Sequence, residues 1–140
     1  MKLFCFGKIL FVIIRKDGGV PMAYKRYIIE IGKGMDMHGG DVTNAACKAV
    51  KDAISSSCLA GLKDIAGITD PNMMHVKVKI ACPHPENVKQ EEVLAMVPFG
   101  SKEIELVEGG LSVQGLFLPF IAEGDTIVVA LAALTVYVDV

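Results

Sequence analysis

The stretch from Tyr27 to Asp41 forces two different periodicities to meet across glycine, so the chain must fold as a strand running straight into a helix. In residues 25–31, Tyr27, Ile29 and Ile31 fall on one side of an extended chain, with Arg26 and Glu30 among those on the other. Gly32, Lys33, Gly34, Met35, Asp36, Met37, His38, Gly39, Gly40 and Asp41 follow. From Val42 the apolar residues Val42, Ala45, Ala46, Ala49, Val50, Ala53 and Ile54 recur at helical spacing, opposite Lys48, Lys51, Asp52 and Ser55. Asp41 or Thr43 can cap this helix, which is predicted to end between Ser57 and Gly61. Its buried positions are nearly all alanine and valine, so its axis can lie close to a sheet.

Later segments supply that sheet. Met74, Val76, Val78, Ile80 and Cys82 alternate strictly with His75, Lys77, Lys79 and Ala81. Pro83-His84-Pro85 breaks this strand, and a short helix is predicted over residues 88–97, stopped by Pro98-Phe99-Gly100. A strand follows over residues 102–107, where Ile104 and Leu106 alternate with Glu103 and Glu105, and Gly109-Gly110 then bends the chain. Residues 111–120 extend that strand or wander. Residues 126–138 are almost all apolar and β-branched, the signature of a strand covered on both faces, although their alanine- and leucine-rich centre also suits a helix. The resulting order, β-α-β-α-β-β, is an α/β (α+β) two-layer sandwich: a mixed four-stranded sheet with helices on one face. Lysines of one strand and glutamates of another mark the opposite face, open to solvent or to a neighbouring subunit.

The 140 residues fit one domain, expected over 22–140. A formal charge of -2 without a basic cluster excludes the usual electrostatic footprint of a nucleic-acid binder. Hydrophobic residues make up 52% and mean hydropathy is +0.47, which points to apolar surface buried between subunits. Cys5, Cys47, Cys58 and Cys82 have no zinc-finger spacing; Cys47 and Cys58, read as sharing the first helix, stand too far apart to bond, and reduced cytoplasmic thiols are expected. Residues 1–21 carry an apolar run, but Lys8 interrupts it and Arg15, Lys16 and Asp17 occupy the place of a cleavage site, so neither a signal peptide nor a membrane span is expected. Gly18-Gly19 can be encoded as GGA-GGU, a ribosome-binding sequence, which makes Met22 the expected start and residues 1–21 an extension or disordered tail.

The junction holds the candidate chemistry. If extended, Asp36 and His38 point the same way, and Asp41 completes a set of two carboxylates and an imidazole able to hold a divalent metal or to serve as a base oriented by a carboxylate. Gly39 and Gly40 before a helix start, with Gly32 and Gly34, suit a phosphate or carboxylate ligand. The competing reading gives Asp41 to the helix cap, His38 to a backbone bond and Asp36 to the loop. No Walker loop or dinucleotide fingerprint is present. His75 and His84 read as surface or loop residues and Cys47 as a small core residue.

Gly32-Lys33-Gly34-Met35-Asp36-Met37-His38-Gly39 resembles the G-x-G-x-D-x-H-G signature of the "Lin" family of hypothetical proteins. The likeness continues through Asp41-Val42-Thr43-Asn44-Ala45-Ala46 and, more loosely, Pro83-x-Pro85-Glu86, Pro98-Phe99-Gly100 and Glu108-Gly109-Gly110-Leu111. It implies a shared site without naming its chemistry. The strand order is also similar to the chorismate-mutase-like and YjgF-like fold, which implies a homotrimer or larger ring with clefts between subunits. Arg15 and Arg26 are the only arginines, so the carboxylate clamp of those clefts is missing. Two functions follow as expectations: an enzyme of hydrolase or lyase type using Asp36 and His38, or a non-catalytic oligomeric binding or scaffold protein whose glycine loop is structural.

Overall fold

The computed structural model describes residues 24–140, and the expectations for residues 1–21 and for Met22 lie outside them. The elements are β1 (Tyr24–Asp36), α1 (Val42–Ser55), α2 (Ala60–Asp64), β2 (His75–Cys82), α3 (Gln90–Leu94), β3 (Ser101–Glu108), β4 (Leu111–Gln114) and β5 (Thr126–Asp139). Single 3-10 turns stand at Pro71–Met73 and Pro85–Asn87. The class is the expected mixture of α and β, and all residues of the central 126–138 segment are strand.

The sheet order is β1-β5-β2-β3, with β2 parallel to β3 and antiparallel to β5, and β1 antiparallel to β5. A fifth strand joins the four expected: β4 pairs with β5 from Leu111↔Val129 to Gln114↔Thr126, on the edge of β5 that β2 has just vacated. The cause is local. Pro83 offers no N–H to continue β2, so the first residues of β5 would be left unpaired. The Gly109-Gly110 turn carries the chain over to them; Gly110 has φ +68, and a Cβ there would lie 2.1 Å from the carbonyl oxygen of Val129.

The alternation in β2 buries Met74, Val76, Val78, Ile80 and Cys82, as expected. They pack with Val128, Ala130, Ala132, Leu134, Val136 and Val138 of β5 and with Val42, Ala45, Ala46, Ala49, Val50 and Ala53 of α1. Each large side chain buried here, such as Ile80 or Leu134, contributes about 1.5–3 kcal/mol.

On β1 the side chains turned toward α1 are Glu30, Gly32, Gly34 and Asp36, while Ile29, Ile31 and Met35 face away and are exposed. Gly32 and Gly34 therefore lie inside the strand rather than in a loop. A Cβ on Gly34 would meet Ala45 O at 2.1 Å and one on Gly32 would meet Ala49 O at 2.2 Å, so helix and strand touch backbone to backbone. β1 is an edge strand, and α1 also serves that edge: Lys33 N donates to Asp52 Oδ2 at 2.9 Å and Lys48 Nζ donates to Met35 O at 3.0 Å. Side chains thus take the place of a further strand.

Four expectations are corrected. Cys58 is not on the first helix, which ends at Ser55 with Ser56 as C-cap; Cys47, Cys58 and Cys82 are free thiols. The second predicted helix contracts to Gln90–Leu94, because the chain tightens into turns at Met96 and Val97 before Pro98. The connector after α1 contains the short helix α2. Finally, β5 is covered on one face only. Its outward residues are half-buried, and Leu131 is exposed.

Candidate functional site at the first strand-to-helix junction

Asp36, the last residue of β1, is 7% exposed. Its Oδ2 accepts from Asp41 N at 3.0 Å and its Oδ1 from Asn44 Nδ2 at 2.6 Å. Asp41 is the N-cap of α1, with extended backbone, and its Oδ1 accepts from Asn44 N at 3.0 Å. Both carboxylates are thus bound to the helix start, where the positive end of the peptide dipoles favours them. Thr43, also buried, accepts from Lys89 N at 3.1 Å and ties the first turn of α1 to the start of α3.

Gly39 and Gly40 adopt φ +91 and +67, which glycine reaches without steric cost. His38 is half-buried, and its Nδ1 is enclosed without a hydrogen-bond partner. It makes no bond to Asp36. Among the described residues no group of three or more His, Cys, Asp or Glu could hold a metal ion. Gly32 and Gly34 present their inner side to the α1 backbone, which fills it.

Beyond the turn lies a hollow of about 430 Å³ lined by Gly39, Gly40, Asp41 and Val42 together with His84, Asn87, Ser112, Thr126 and Val128. His84 has φ +50, the left-handed conformation that a non-glycine residue seldom holds. Sequence reasoning missed Asn87, Ser112 and Thr126 as neighbours of the turn. The one signal for His84 was its place between two prolines. Two of the thiols are held protonated: burial, then Glu92 and Asp41, push Cys47 up, and burial, then Glu108 and Glu86, push Cys82 up.

His75, read as a surface residue, is enclosed more than that. Its Nδ1 pairs with Ser101 Oγ at 2.8 Å, and its ring lies beside Tyr24 and Tyr137.

Because the Asp41 carboxylate accepts from Asn44 N at the helix start, Asp41→Ala is expected to lower stability by about 1 kcal/mol, seen as a lower urea midpoint. An unchanged midpoint would show that another group caps α1.

The fold and this junction define a class: a helix-covered α+β sheet with one open face, whose polar turn is committed mainly to starting a helix. The chain belongs to the conserved hypothetical protein family Lin0512_fam, whose pattern it matches over residues 26–136. It is similar to the crystal structure of an FtsZ-like protein of unknown function from Nostoc punctiforme, at 44% identity and TM-score 0.77, covering 85% of this chain and 99% of that one. The FtsZ dimer of M. jannaschii matches at 16% identity and TM-score 0.30 over 76% of this chain and 26% of that one. That likeness carries no weight here. A comparison with curated proteins finds no match.

Proposed function

We propose that this protein is a self-associating, non-catalytic unit whose outer sheet face packs against further copies in a homotrimer or larger ring. One observation carries the reading. The sequence of β5 is that of a strand buried on both sides, yet a single chain covers only one. On the open side Ile31 is 63% exposed opposite Ala133, and Met35 lies opposite Val129, which in turn lies opposite Leu111. Leu131, 47% exposed, stands between Lys33 and Ala81. These side chains form one apolar surface of the kind that marks an interaction site. Beside it runs an ion-paired rim, with Lys77 and Lys79 reaching Glu105 at 3.6 and 3.1 Å. The loop between β4 and β5 separately exposes Leu116, Phe117 and Phe120, the last 81% exposed.

In this reading the glycine turn is architectural. Ile31→Lys is expected to dissociate the assembly at least about a hundredfold more readily, while leaving the fold within about 0.5 kcal/mol, because the side chain is exposed in the single chain. Sedimentation velocity at micromolar concentration checks both halves. A wild-type protein that sediments as a monomer there overturns the proposal.

A second reading places a small ligand in the junction hollow, with Gly39, Gly40, Asp41 and His84 around it and with Asp36 and His38 behind the turn rather than on its wall. The left-handed His84 on its wall favours it. Its test is a titration with inorganic phosphate and with Mg²⁺ or Zn²⁺, followed by the imidazole NMR signals of His38 and His84. Signals that do not move remove this reading.

A further inference from the structure

Three of the four side-chain positions that β1 turns toward α1 have an architectural reason: Gly32 and Gly34 admit the helix and Asp36 holds its start. Glu30, the fourth, accepts from the segment just after α1 and also lines a hollow. It is 7% exposed, and its single hydrogen bond among the described residues comes from Ser57 Oγ. No ion pair among the described residues includes it. A carboxylate has about four acceptor sites, so Glu30 keeps acceptor capacity beyond the bond from Ser57.

Glu30 lines a hollow of about 170 Å³ whose other walls, Ser57 apart, are apolar, among them Ile54, Leu59, Met74, Val97 and Phe99. The C-terminal end of α1 lies here, where the aligned peptide dipoles leave partial negative charge, and its last turn carries no basic residue. Two negative features therefore meet in an apolar chamber without a cation. The mouth residue Phe99 is half exposed and offers an aromatic face.

We infer that this hollow binds a small organic cation, a primary ammonium group carried on a short aliphatic chain. The ammonium donates to the free acceptor sites of Glu30 and to Ser57 Oγ, which can accept while its own proton stays on Glu30. The hydrocarbon lies against Ile54, Leu59 and Val97, and Phe99 closes over the charged end. At about 30 Å³ for each water-sized group, the volume admits about five or six non-hydrogen atoms, the size of butylammonium. The site is on the helix-covered side of the sheet, so it stands independently of the outer face proposed for self-association.

The test uses the full chain and n-butylammonium chloride, with 1-butanol as the uncharged control of equal size. Methyl NMR should show saturable shifts at Ile54, Leu59 and Val97 with butylammonium, at a dissociation constant on the order of millimolar, and at least about tenfold weaker binding of butanol. Glu30→Gln should abolish that preference. Phe99→Ala, at the exposed mouth, should weaken butylammonium about threefold or more while leaving the fold intact, so the inference is tested even if the Glu30 variant does not fold. Equal binding of the two probes, methyl signals that do not move in the wild type, or Glu30→Gln with the full ammonium preference would each overturn it.

Discussion

Gly34→Ala is expected to destabilise the protein by about 3 kcal/mol or more, and Gly32→Ala by a similar amount. The added Cβ at position 34 would stand 2.1 Å from Ala45 O and 2.3 Å from Ala49 N, both backbone atoms of α1. No rotamer change can relieve such a contact. The helix must lift from the strand, and lifting it opens space around Ala45, Ala46 and Ala49, which are fully buried. It also strains the bonds from Asp52 to Lys33 N and from Lys48 to Met35 O. Urea denaturation monitored by circular dichroism measures the loss. A change below about 1 kcal/mol would mean that α1 and β1 do not touch as described.

Asp36→Ala is expected to cost about 2–3 kcal/mol, since it leaves Asp41 N and Asn44 Nδ2 without their acceptor in a largely enclosed place. Asp36→Asn keeps one acceptor oxygen and should cost about half as much.

Much of the fold was legible because its signals are local. The strict alternation of residues 74–82 and the 3.6-residue spacing from Val42 each depend on neighbours within one element, and both are found as read. The cap at Asp41 is local as well, and so are the alanines that allow a close helix. β4 was not read as a strand of its own because Leu111–Gln114 is short and exposed along its length; it pairs with β5 because Pro83 ends β2 and leaves part of β5 without a partner.

The candidate site was legible as a place and less so as chemistry. Sequence spacing put Asp36, His38 and Asp41 within eight residues, but could not tell which carboxylate would be taken by backbone N–H groups. The folded chain joins Asp36 to Asp41 and Asn44 and leaves His38 apart. His84, Asn87, Ser112 and Thr126 arrive at the same hollow from three separate segments, and no periodicity within one segment could announce that.

By itself the sequence determined the strand feeding a helix, the cap that starts it and the strong alternation of the central strands, since backbone sterics and side-chain periodicity act over a few residues. Only the tertiary structure decided which face of β1 turns inward. Hydrophobicity alone would bury Ile29 and Ile31. The close approach of α1 instead demands glycine at 32 and 34, so the isoleucines are left on the open face and Glu30 is carried into the core. The exposed apolar face and the buried carboxylate both follow from that one choice, made by contact between two backbones.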